Sequence, residues 1–282
     1  MDNTSSEIFV KIKFLYPSLT KSEKRAADIA LEEPEKVINY TLSDYSKNAD
    51  CSDASIMRFC RKLGLSGLKE LKQQLSDVSS TAYDNDVNKI RSGDDAYTIF
   101  KKIVWQYEKT LQDTLFLCNE DFDRAISAVA EAKRIVFFGI GDAWVVCNFA
   151  FTKFQRLGLN AATYTDTAQA LVSAGQLREG DLAVGISFSG ETKLVVDALR
   201  LAKENRATTL CITHYPSCEL VKYSDIKIFT ATTDYTPGHE EIARRTAEFA
   251  IIDTLYMGVV VRNSDGFDKN RRKAIQVIID NK

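Results

Sequence analysis

Three hydroxyls and a glycine are gathered in the run Ile186-Ser187-Phe188-Ser189-Gly190-Glu191-Thr192. Each hydroxyl of Ser187, Ser189 and Thr192 can donate to a phosphate oxygen, and Gly190 lets such an anion approach the backbone. The run follows Leu182–Ile186, a short apolar stretch of the kind buried in a parallel sheet. It precedes Leu194, Val195, Ala198, Leu199 and Ala202, apolar positions at helical spacing. A helix from Glu191 to Lys203 offers unpaired amides and the positive end of its dipole to an anion. The chemistry read from this loop is a phosphate cradle. The alternative is that Ser189 simply caps the helix.

A second loop, Phe138-Gly139-Ile140-Gly141-Asp142-Ala143-Trp144, also joins an apolar strand to a helical pattern. It begins like a dinucleotide fingerprint, but Trp144 stands where the third glycine is needed, and an indole there is expected to block close helix-to-strand packing. Gly139 and Gly141 serve equally to bring backbone close to a sugar. Asp142 either accepts a sugar hydroxyl or caps the helix that follows.

A third cluster is basic. Ile56, Phe59, Cys60 and Leu63 recur at i, i+3, i+4 and i+7, which assigns Ser55, Arg58, Arg61 and Lys62 to the opposite face. Across residues 54–73, Arg58, Arg61, Lys62, Lys69 and Lys72 face a single carboxylate, Glu70, although the whole chain has a net charge of -2. A helix capped by Ser52, entered from another helix through a short turn, has the layout of a recognition helix that enters the major groove. In that reading Ser52 holds a phosphate, Ser55 and Arg58 reach base edges, and Arg61, Lys62 and Lys69 contact the DNA backbone. The alternative is a solvated face in a helical interaction domain.

The elements that must position these groups are legible in outline. A chain of 282 residues suggests two domains. Thr20-Lys21-Ser22-Glu23 is a capping box that opens a helix ending before Pro34. Further short helices follow Thr41 and Ser52, the latter running from Asp53 to Leu63 with Gly64 closing it. Polar composition places a linker at 76–96 between a helix-turn-helix domain at 1–75 and a second domain at 97–282. Beyond two helices, strands are expected at 134–138, 161–164, 182–186, 208–212 and 226–229, separated by helices at 144–157, 167–174 and 191–203. That alternation predicts a five-stranded parallel sheet with helices on both faces, Rossmann-like.

Composition excludes several classes. Two histidines make a His-rich metal site improbable, and no cofactor is expected. Cys51, Cys60, Cys118, Cys147, Cys211 and Cys218 lack a Cys-x-x-Cys pair and read as reduced core thiols. No apolar run is long enough to span a bilayer, and the N-terminus lacks a signal-peptide layout, so a cytoplasmic protein is expected.

Together these stretches resemble a known family. Leu19-Thr20-Lys21-Ser22-Glu23-Lys24 and the run Ser52-Asp53-Ala54-Ser55-Ile56-Met57-Arg58-Phe59-Cys60-Arg61-Lys62-Leu63-Gly64 resemble the helix-turn-helix domain of RpiR-type transcriptional regulators. Residues from about 125 to 260, with Ile186–Thr192, resemble their SIS (sugar isomerase) domain. The resemblance implies operator DNA and a phosphorylated sugar effector as partners, with Ser187, Ser189 and Thr192 on the phosphate. It also implies a homodimer or homotetramer built through the SIS domains. The first loop departs from the family, with Ala143 where a serine is common and Trp144 where glycine is frequent. The competing function is a phosphosugar isomerase, which needs a base. His239, Glu240 and Glu241 are candidates, although both glutamates are equally explained as the first turn of a helix at about 240–261.

Overall fold

A computed structural model describes residues 7–79, 89–232, 242–262 and 264–280. The chain divides into two compact units, Met1–Lys102 and Ile103–Lys282.

The first unit is helical: α1 (Glu7–Leu15), α2 (Lys21–Glu32), α3 (Pro34–Asn39), α4 (Leu42–Asn48), α5 (Asp53–Lys62) and α6 (Leu68–Ser79). Local chemistry sets the boundaries. Thr20 and Glu23 form the expected capping box on α2, and Pro34 opens α3 at its first position, where a missing N–H costs nothing. Thr41 and Asp44 cap α4 in the same reciprocal way. One apolar core joins these helices through Ile8, Ile12, Ala26, Ala30, Val37, Tyr45, Ile56, Phe59, Leu63, Leu71 and Leu75. The buried Tyr45 hydroxyl donates to the Ala26 carbonyl at 2.6 Å, tying α4 to α2. Helix α6 runs four residues past the boundary placed at 75, and residues 80–88 of the expected linker lie outside the described residues.

The long helix α7 (Ala96–Phe116) leads to α8 (Asp121–Glu131) and an alternating series: β1 (Ile135–Phe138), α9 (Asp142–Arg156), β2 (Ala161–Thr163), α10 (Thr167–Gly175), β3 (Leu182–Ile186), α11 (Lys193–Glu204), β4 (Thr208–Thr213), α12 (Glu219–Lys222) and β5 (Ile226–Phe229). Helices α13 (Arg244–Arg262) and α14 (Ser264–Asp280) follow. All strand pairings are parallel, in the order β2-β1-β3-β4-β5.

Side-chain alternation along the strands builds two cores. Ile135, Phe137, Val184, Ile186, Leu210 and Ile212 pack with α8, α9 and α13. Val136, Phe138, Ala183 and Cys211 pack with α10, α11 and α12. The strand order reverses direction between β1 and β3, so the loops leaving their carboxyl ends splay apart and leave a crevice, the place where open α/β sheets bind ligands.

Of the six thiols, Cys60, Cys147, Cys211 and Cys218 are buried and Cys51 is half-buried, all free. Cys118 corrects the core-thiol reading: it lies two residues past the end of α7 and is exposed. No helix among the described residues is long and apolar enough to cross a membrane.

Candidate functional site

The two loops singled out in the sequence leave adjacent strands at the switch point. After β3, Ser187, Phe188, Ser189 and Thr192 line a cavity of about 160 Å³, together with Ile140, Ala143, Ile186, Arg244 and Glu248. Ser187 is buried, and its Oγ accepts from the Gly190 amide at 3.1 Å and lies 2.9 Å from Thr192 Oγ1. The Ser189 Oγ accepts from the Glu191 amide at 3.2 Å. Helix α11 starts two residues later than expected, with Thr192 as N-cap, so Ser189 is not the helix cap. Thr192 makes no side-chain cap bond, leaving its hydroxyl to Ser187 and the cavity.

Gly190 has a different role from the one expected. It is buried at φ +66°, and a Cβ there would lie 2.0 Å from Cys218 Sγ and 2.6 Å from Cys218 Cβ. Its missing side chain makes room for Cys218 rather than for a ligand. Replacing it with alanine combines overpacking with a left-handed conformation and is expected to cost about 2–5 kcal/mol. Urea unfolding checks this, and Cys218→Ala in the same chain should recover part of the loss; an unaltered midpoint for Gly190→Ala excludes the packing account.

The loop after β1 also departs from expectation. Close helix-to-strand packing does occur: a Cβ on Gly139 would lie 2.8 Å from Cys147 Sγ and 2.9 Å from the Ala143 carbonyl carbon. Ala143 and Cys147 are four apart on the face of α9 that meets the sheet, whereas Trp144 lies about 100° round the helix and escapes the contact. Trp144 instead lines a neighbouring cavity of about 240 Å³ with Gly139, Ile140, Gly141, Tyr164, Thr165, Asp166 and Thr167. Its indole N–H is buried without a hydrogen-bond partner among the described residues. Gly141, at φ +60° with open space around it, makes the turn into α9.

Asp142 neither caps α9 nor faces either cavity. Its carboxylate accepts from Arg244 Nη2 at 3.2 Å and from Arg245.

Two cavity residues were missed in the sequence. Arg244 stands over the Phe188 ring at 5.2 Å, a cation–π distance. Phe188 in turn stacks on His214 at 4.8 Å. His214 Nδ1 lies 2.8 Å from the Thr230 carbonyl, which can only accept, so that nitrogen carries the proton. Burial holds the His214 pKa below its ordinary value. Glu248 is buried one turn beyond Arg244, beside Ala247, Ile251 and Ile252. The signal for it was a carboxylate among the apolar positions of α13. His239, Glu240 and Glu241 lie outside the described residues.

In the helical unit, Ser52 caps α5, its Oγ accepting from the Ser55 amide at 3.2 Å. Ser55 corrects the helical-face reading: it is buried, 3.0 Å from Ser52 Oγ, and its hydroxyl accepts from Arg58 Nη2 at 2.9 Å. A side chain so placed steers Arg58 and cannot itself reach a base edge. Arg58, Arg61 and Lys69 are exposed.

Lys62 is also engaged. Its ammonium donates to Glu23 Oε2 at 2.7 Å and to the Ser18 carbonyl at 3.2 Å. Burial tends to raise the Glu23 pKa, but hydrogen bonds from Lys62 and Thr20 outweigh it and hold it below the usual range. Such a group stabilises the fold above its unfolded pKa, and that stability is lost as pH falls through the folded value. Lys62→Met removes one lowering contact, so acid unfolding of α2 and α5 should begin at higher pH, with operator affinity nearly unchanged. Hydrogen exchange across a pH series checks this. A large loss of operator affinity with unaltered acid unfolding would return Lys62 to the DNA.

A doubly wound parallel sheet with hydroxyl loops at its switch point, following a helical unit with a basic capped helix, defines a class: transcriptional regulators with an SIS domain. Residues 7–82 match the helix-turn-helix domain of the rpiR family, and residues 128–258 match the SIS domain. The chain is 34% identical over 253 residues to an uncharacterized HTH-type transcriptional regulator of Caldanaerobacter subterraneus subsp. tengcongensis, covering 89% of this chain and 90% of that protein. It is 30% identical over 262 residues to the bifunctional protein glk of Paraburkholderia xenovorans, covering 93% of this chain and 41% of that one. The Vibrio vulnificus NanR protein complexed with ManNAc-6P shares the fold with a TM-score of 0.61 and 22% identity, over 98% of this chain and 99% of that one. The chain belongs to the rpiR family of helix-turn-helix transcriptional regulators.

Proposed function

We propose that this regulator senses a phosphorylated sugar in the cavity of Ser187, Ser189 and Thr192, and reads operator DNA with Arg58, while Arg61, Lys69 and the Ser52-capped end of α5 hold phosphates. The observation that carries the effector reading is the convergence of three hydroxyls and the Arg244 guanidinium on one cavity at the switch point. Arg244 supplies the charge that hydroxyls lack, and charge-assisted bonds to phosphate are the stronger kind. The NanR neighbour, complexed with a phosphorylated amino sugar, supports this ligand class. Gly139, Gly141 and Trp144, lining the adjoining cavity, are then placed to select the sugar. The protein is a homodimer or homotetramer that presents paired heads to an operator of matching symmetry.

The test is a thermal-shift panel of sugar phosphates set against their unphosphorylated counterparts, since a ligand of the folded state raises the melting temperature. Stabilisation confined to phosphorylated members supports the reading; equal stabilisation by the free sugars removes the phosphate from it.

Glu248 favours one second reading, an SIS-type isomerase, because a buried carboxylate lining the same cavity could move a proton between adjacent carbons. We favour binding without turnover, as the relatives from Caldanaerobacter subterraneus, Haemophilus influenzae and Thermotoga maritima, matched over nearly their full length, are named as transcriptional regulators. Ketose–aldose exchange by the parent that vanishes in Glu248→Gln would reverse that choice.

A further inference from the structure

Helix α7 is amphipathic the wrong way round for a chain on its own. Its exposed face carries Tyr97, Phe100, Val104, Tyr107, Leu111 and Leu115, with Tyr97 76%, Phe100 65% and Leu115 66% exposed. The face it buries carries Lys102, Gln106, Thr110 and Asp113. Lys102 Nζ lies 2.7 Å from Asp94, outside the helix, and the buried Thr114 hydroxyl donates to the Ala231 carbonyl at 3.2 Å and accepts from the Ala231 amide at 3.1 Å, so rolling the helix to exchange its faces would disrupt these contacts. The apolar face is therefore presented outward by construction. A contiguous apolar stripe of this kind marks an interaction surface.

The spacing of the stripe identifies the occupant. Positions 97, 100, 104, 107 and 111 alternate three and four apart, the seam of a two-helix coiled coil. Beside the seam stand Lys101 and Glu108, both exposed and neither in an ion pair among the described residues.

We propose that α7 packs antiparallel against α7 of a second copy of this chain, about a two-fold axis between Val104 and Tyr107. In that register Val104 meets Tyr107 of the second copy, and Phe100 meets its Leu111. Lys101 then lies beside Glu108 of the second copy, and the symmetry makes every contact twice. A parallel pair sets each residue level with its own copy and brings these opposite charges no closer. The stripe thus carries its own complement, in shape and in charge. This seam rests on the reading that the regulator works as an oligomer, and it names the surface that joins one pair of subunits.

The mass of the full-length chain, measured by light scattering on a sizing column over a range of concentrations, tests the seam. Val104→Glu with Leu111→Glu is expected to halve the mass of the parent, with unchanged far-UV circular dichroism. Should that variant fail to fold, charge reversal decides: Lys101→Glu and Glu108→Lys should each weaken self-association roughly tenfold, and their combination should restore it. A parent that is oligomeric and stays so in the folded Val104→Glu, Leu111→Glu variant overturns the α7 seam. Charge reversals that weaken singly but are not rescued together overturn its antiparallel register. A parent that is monomeric at every concentration overturns the oligomer reading itself.

Discussion

Replacing Ser187 and Ser189 together with alanine is expected to abolish the response of operator affinity to sugar phosphate while leaving unliganded operator binding close to that of the parent. Each hydroxyl is placed to donate to phosphate from the rim of the β3–α11 loop, and each such bond to a charged group is worth about 1.5–3 kcal/mol. Losing both weakens the effector by a factor of roughly 10²–10⁴. An effector shifts the DNA-competent population only through its difference in affinity for the two states, so a ligand that no longer binds shifts nothing. Ser187 also accepts the Gly190 amide, so its removal loosens the loop as well. Ser189→Ala serves as the control, because Ser189 is exposed and bonds only locally, to the Glu191 amide. It should lose about one hydrogen bond's worth of effector affinity and no folding stability. The measurement is an operator titration with and without the sugar phosphate found in the thermal panel. A double variant that responds as the parent does would move the phosphate out of this loop.

Arg58→Ala is expected to weaken the preferred operator by about 1–3 kcal/mol, or roughly ten- to a hundredfold, and to relax selectivity at one base position. The side chain is exposed, so folding should hardly change, and Ser55 pre-orders its guanidinium from below. That support makes a second expectation: Ser55→Ala should give a smaller loss at the same base position, because Arg58 keeps its charge but loses its anchor. Lys69→Ala should behave differently, weakening all duplexes alike and flattening the dependence of affinity on salt. Gel-shift titrations at fixed salt, on an operator selected from random duplexes, separate these effects. Equal losses for Arg58→Ala on selected and random duplexes would make Arg58 a phosphate contact.

What the sequence determined by itself was whatever repeats locally. The apolar run at 182–186, the alternation at 226–229, the capping box of Thr20 and Glu23, and the helical rhythm of Ile56, Phe59 and Leu63 are each written in a few neighbouring residues, and the structure places them where those signals predict. The hydroxyls of Ser187, Ser189 and Thr192 were legible for the same reason, being neighbours in one loop. The tertiary structure decided everything that depends on which faces meet. Ser55 is buried because α5 packs with that edge inward, which spacing alone could not say. Lys62 is bound to a carboxylate 39 residues away, Gly190 is required by Cys218, and Asp142 is held by arginines from α13. Arg244 and Glu248 join the cavity beside Ser187 and Ser189 only because α13 packs against α8 and α9 on that side of the sheet. Helix α7 makes the division sharpest: its apolar positions recur along the sequence, but only the contacts of Lys102 with Asp94 and of Thr114 with the Ala231 backbone decide that the apolar face is the one left outside. Period is a property of neighbours along the chain; burial is a property of partners across it.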